Sequence, residues 1–247
     1  TGGSRGVGRA CASSLLQEGA RVMITARDPQ RLAATRVALE QQTKGEVRAV
    51  TADLERDADA RALVEATLET FGHLDILVNC AGTVNPAEFL SLTETRWDAI
   101  FEQKLNGYVR CLRYAIPPMR ARRKGRIINL SGLASREPGS NTVPVGLNNA
   151  AVLNLTKSLA LALAPDNILV NAVVPHIINT DRQDETMREF AALTGRPEAE
   201  IRKERVAKLQ SEWTAREATL ALGAEEARAN AVAAERRGLE ARLARER

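Results

Sequence analysis

Five short runs rich in Val, Ile and Leu, at residues 21–25, 47–52, 74–78, 126–130 and 168–174, alternate with longer stretches of helical apolar spacing. This alternation confines the chain to parallel-strand architectures, because parallel neighbours need a crossover long enough to hold a helix. The runs carry little polar alternation, so they read as strands buried on both faces. The helical stretches fall at residues 9–18, 28–42, 57–71, 94–122 and 147–164. Asp28-Pro29 is a helix start, with Asp as the cap and Pro in the first turn, and Gly19 and Gly125 are stops. The expected fold class is α/β, a doubly wound parallel sheet with helices on both faces. Ligands then belong at the carboxyl ends of the strands.

The first helix follows directly on Thr1-Gly2-Gly3-Ser4-Arg5-Gly6-Val7-Gly8. A Gly-rich turn feeding a helix N-terminus suits a phosphate, because free N–H groups and the helix dipole both favour negative charge. A net charge of +4 with only 3% aromatics carries no nucleic-acid signature. The cluster Arg120, Arg122, Arg123, Lys124 and Arg126 is expected to decorate a helix end. Cys11, Cys80 and Cys111 lack metal-ligand spacing and fit a reducing, cytoplasmic setting. No apolar run approaches the roughly 18 residues of a membrane span. The chain opens inside a motif rather than at an initiator methionine, which suggests that its natural start lies upstream.

Several motifs in order give a stronger reading. Thr1 to Gly8 matches TGxxxGxG, Asp53 follows the strand at 47–52, Asn79-Cys80-Ala81-Gly82 is a variant of NNAG, and Asn171-Ala172-Val173-Val174-Pro175 is a variant of NxxxPG. Over residues 1–182 the chain resembles a classical short-chain dehydrogenase/reductase. The resemblance implies a Rossmann-type domain over 1–182, followed by a substrate-loop region and an Ala/Glu/Arg-rich helical tail over 183–247. It implies a dinucleotide held by Gly2, Ser4, Arg5, Gly6, Val7, Arg27, Asp53, Leu54, Asn79, Ala81, Gly82, Pro175 and Thr180, with no metal. It also implies a homodimer through the helices at 94–122 and 147–164. The family's first and last strands have no counterpart, so a truncated domain with an altered C-terminus is expected.

Where an NAD-binding relative would carry an acid after its second strand, Ala26 and Arg27 stand. Arg5 adds a second cation, and two guanidiniums without an acid favour NADP(H) over NAD(H). The chemistry is altered. The family's proton-donating Tyr falls at Val145, its Lys at Asn149, its Ser at Gly132 and its relay Asn at Lys104. No catalytic residue is therefore assigned. Ser131, Tyr108 and His176 are the neighbours considered as stand-ins, with Ser131 expected to face away and Tyr108 expected to be packed. Two readings stay open: an NADP(H)-dependent oxidoreductase of a carbonyl/alcohol pair, impaired or with a non-standard proton donor, and a non-catalytic NADP(H)-binding regulatory or partner subunit. The substrate is not legible.

Overall fold

The computed structural model describes residues 1–82, 87–139, 142–175, 178, 180, 187–188, 191–192, 195–204 and 206–207. The chain divides into two compact units, Thr1–Gln183 and Asp184–Arg247. His176 and most of the Ala/Glu/Arg-rich tail lie outside the described residues.

The first unit alternates strand and helix as expected. The strands are β1 (Val22–Ala26), β2 (Val47–Thr51), β3 (Ile76–Asn79), β4 (Gly125–Leu130) and β5 (Ile168–Val173). The principal helices are α1 (Gly6–Gln17), α2 (Pro29–Thr43), α3 (Asp57–Phe71), α4 (Glu94–Phe101), α5 (Gly107–Ala121) and α6 (Val143–Leu163). Asp28 caps α2 by accepting from the Arg31 N–H at 3.0 Å, and Pro29 fits its first turn. The 94–122 stretch is not a plain α-helix: a π-turn, Glu102–Asn106, joins α4 to α5. The basic cluster sits at the end of α5, where Arg120 pairs with Asp166 and Arg122 with Asp75.

All strand pairings are parallel. β1 pairs with β2, aligning Val22 with Val47. β3, β4 and β5 form a second sheet, aligning Ile76 with Arg126 and Gly125 with Ile168. Helices α3, α5 and α6 bury one face of the three-stranded sheet, with Leu63, Leu112, Met119, Ile127 and Ile168 among the core residues. Leu16, Ile24, Leu32, Leu39 and Val47 form a second cluster with α1 and α2. Each such side chain contributes about 1.5–3 kcal/mol by leaving water.

Between β1 and β3 lies a slot of about 360 Å³, lined by Val22, Ile24, Ile76, Val78, Leu63 and Cys111, among others. The N-terminal residues bridge its upper end. The Thr1 nitrogen donates to the Val78 carbonyl at 2.8 Å, and the Gly3 N–H donates to the Thr25 carbonyl at 2.9 Å. The hydrogen-bonded strands form two groups, β1–β2 and β3–β4–β5.

Candidate active site

The Gly-rich turn is held to the end of β3. Thr1 Oγ1 accepts from the N–H groups of Cys80 and Ala81, both at 2.9 Å. Gly2 has φ +66°, and a Cβ there would lie 2.9 Å from Ala81 Cα, so only glycine fits both the conformation and the space. Ser4 is fixed through its carbonyl, which accepts from Thr35 Oγ1 at 2.8 Å. Helix α1 then opens at Gly6 with no side-chain cap from Arg5 and no acidic residue in its first turn. Its first N–H groups therefore lack a side-chain acceptor, and the positive end of the dipole is unopposed, as an anion site requires. A cleft of about 820 Å³ runs beside α1, lined by Gly6, Val7, Leu130, Pro175 and Thr180. The structure thus gathers Gly6, Val7, Pro175 and Thr180 from opposite ends of the domain sequence.

Other predicted site residues are engaged locally. Asp53 accepts from the Glu55 N–H at 3.2 Å, and the Leu54 carbonyl accepts from Arg110 at 3.0 Å. Asn79 is fully buried, and its amide donates to Asn129 Oδ1 at 2.9 Å; Asn129 in turn donates to Thr156 Oγ1 at 2.9 Å. That chain ties β3, β4 and α6 together behind the strand ends. Arg27 is exposed at the end of β1 but has a carboxylate beside it: Glu55 accepts its guanidinium hydrogen bond at 3.1 Å. The sequence reading of an acid-free corner did not include Glu55, which reaches Arg27 from beyond the neighbouring strand.

Beyond the ends of β3 and β4 lies a corner where Lys104 meets Asn149. Lys104 lies on the π-turn, 8% exposed, and its ammonium donates to Asn149 Oδ1 at 2.7 Å and to the Ser131 carbonyl at 3.1 Å. Among the described residues no carboxylate pairs with it. Desolvation lowers its pKa from 10.5 to about 8. Gly82, with φ +107°, makes the approach of this turn possible, since a Cβ there would lie 2.3 Å from the Gln103 carbonyl oxygen. Gly132 does the same on the opposite side: a Cβ there would lie 2.8 Å from Asn149 Nδ2. Ser131 does not face away from the corner. Its hydroxyl is buried and donates to the Asn149 carbonyl at 2.9 Å. Tyr108 is packed as expected, fully buried with its hydroxyl donating to the Leu130 carbonyl at 3.1 Å. Desolvation raises its phenol pKa well above 10.0. Both positions stood out separately in the sequence, and nothing there joined them.

The short chain dehydrogenase family profile matches residues 1–190. This chain belongs to that family. The uncharacterized oxidoreductase YvrD of Bacillus subtilis is 33% identical over 175 residues, which are 71% of this chain and 65% of YvrD. This chain therefore spans just under two thirds of that relative's length. Among solved structures, L-sorbose reductase from Gluconobacter frateurii, complexed with NADPH and L-sorbose, superposes with a TM-score of 0.74 at 31% identity, covering 77% of this chain and 73% of that one. An NADPH-bound short chain oxidoreductase from Pseudomonas aeruginosa PAO1, described as containing an atypical catalytic center, gives a TM-score of 0.72 at 30% identity, covering 77% and 74%. The fold is accordingly the Rossmann-type α/β architecture of the short-chain dehydrogenases. No helix among the described residues is long and apolar enough to cross a membrane.

Proposed function

We propose that this short-chain dehydrogenase binds NADP(H) in preference to NAD(H) and acts on a carbonyl/alcohol pair with a proton donor other than the family's tyrosine. The observation that carries this reading is the convergence of Gly6, Val7, Pro175 and Thr180 on one cleft at the uncapped start of α1. Two similar structures, the L-sorbose reductase and the Pseudomonas oxidoreductase, contain NADPH, which supports the same cofactor class. Bound NADPH supplies a hydride. The residues of this chain would hold its anionic parts: the N–H groups of the Gly-rich turn would bind the pyrophosphate, and Arg5 and Arg27 would bind the 2′-phosphate. Arg27 exchanges its exposed partner Glu55 for the phosphate, a small cost because solvent-exposed ion pairs contribute about 0–1 kcal/mol. Three free thiols suit a cytoplasmic setting. We assign a homodimer surface to the helices at 94–122 and 147–164, where Leu147 and Leu161 on α6 are exposed.

Equilibrium titration with NADPH and NADH tests the cofactor assignment. NADPH is expected to bind at least about tenfold tighter, with R27A erasing the difference and E55Q enlarging it, as charge pairing at the 2′-phosphate demands. Equal affinities overturn it. NADPH consumption across a panel of ketones and aldehydes tests the chemistry. Tight NADPH binding with no turnover on any carbonyl favours the non-catalytic regulatory or partner role instead.

A further inference from the structure

The family's tyrosine and serine positions hold Val145 and Gly132, neither of which has a proton to give. The hydroxyls nearest this corner are committed: Ser131 to the Asn149 carbonyl and Tyr108 to the Leu130 carbonyl. Lys104 is different. Its ammonium has three hydrogens, and two of them go to Asn149 Oδ1 and the Ser131 carbonyl. Among the described residues the third has no assigned acceptor. A buried cation without a carboxylate is an expensive arrangement. It also sits on a π-turn, a distortion that recurs at functional positions. The backbone has been cleared around it, because Gly82 and Gly132 admit the π-turn and the Asn149 amide where larger residues would collide. The location is the carboxyl end of β3 and β4, where ligands of a parallel sheet bind.

We propose that Lys104 is the proton donor of this site, delivered from the π-turn between α4 and α5 and aimed by Asn149 as a positioning residue. The proposal rests on the oxidoreductase reading above. In the reducing direction the carbonyl carbon accepts a hydride from the dihydronicotinamide, and the carbonyl π pair moves onto oxygen. That oxygen bonds to a proton as a Lys104 N–H bond breaks, and the neutral amine regains its proton from water. The sum is carbonyl, NADPH and one proton giving alcohol and NADP⁺. An amine near neutrality is suited to this, since a general acid works best with a pKa close to the working pH. Cys80 beyond β3 and Tyr108 on α5 are the titratable groups set around Lys104, and burial holds both in their protonated, neutral forms.

Two measurements test it. The first needs no turnover: ¹⁵N-lysine NMR of the full chain, with the Lys104 signal assigned by its loss in K104R. The amine is expected to titrate near 8, with N149L shifting it further from ordinary lysine behaviour. Titration at the ordinary 10.5 overturns the proposal. The second is carbonyl reduction against pH for wild type, K104M and K104R, with NADPH affinity measured for each as a check on folding. Wild-type kcat/KM is expected to fall above the Lys104 pKa. Both variants are expected to lose about 10²–10⁴-fold, the usual value of a general acid. K104R keeps the charge but cannot release a proton, so a K104R rate equal to wild type overturns the donor role in favour of a purely electrostatic one. Turnover unchanged in K104M overturns the proposal while leaving the oxidoreductase reading intact. NADPH binding without turnover in wild type ends both.

Discussion

Gly132 offers the sharpest test of how the catalytic corner is packed. Its φ of 174° is extended backbone that any residue adopts, so replacement meets no conformational penalty. What it meets is contact: the new Cβ would lie 2.8 Å from Asn149 Nδ2. Overpacking of this kind costs about 1–3 kcal/mol. The Asn149 amide relieves the clash by turning, and its Oδ1 then leaves the Lys104 ammonium, a bond of 2.7 Å. Losing a hydrogen bond to a charged group costs about 1.5–3 kcal/mol. Because turning relieves the clash, the lost hydrogen bond sets the cost: G132A is expected to destabilise the chain by roughly 1.5–3 kcal/mol, and G132S by at least as much. N149A alone loses only the hydrogen bond. In G132A/N149A the clash is gone, so the double variant should match N149A, with a coupling as large as the G132A cost itself, about 1.5–3 kcal/mol, between two sites in contact. Urea unfolding of the four proteins at one pH reads the cycle directly. Additive single effects, or a G132A cost under about 0.5 kcal/mol, the range of a featureless surface change, would refute the packing argument.

A second outcome follows from the same physics. Lys104 titrates near 8 when folded and near 10.5 when unfolded, so between those values the unfolded state binds more protons and stability rises with pH. Urea unfolding from pH 8 to pH 10 should show wild type gaining about 2–3 kcal/mol relative to K104M; a flat difference refutes the buried-ammonium picture. Tyr108, held well above 10.0, acts with the opposite sign only beyond that window.

Much of the fold was legible in the sequence. Asp28-Pro29 announced α2 because capping and the fixed proline φ are local effects, and the Val, Ile and Leu runs announced β1 to β5; the expected burial on both faces fails at β5, where Leu169 and Val173 are exposed. The motif around Gly2, Gly6 and Gly8 located the anion-binding turn for the same reason: its geometry is set within eight residues. The π-turn in the 94–122 helix was not legible, since no Pro or Gly lies within Glu102–Asn106 and Gly107 only follows it; it shows only once Gly82 presses against Gln103 and Lys104.

The chain by itself determined the order of elements and the family, because each depends on residue identity at a known place in a local pattern. Tertiary structure alone decided that Glu55 stands beside Arg27, that Asn79 turns inward to Asn129, and that Lys104 meets Asn149. These pairs are separated by 28, 50 and 45 positions. No local rule relates side chains so far apart; only the parallel sheet, by stacking its strand ends side by side, brings them within hydrogen-bonding distance.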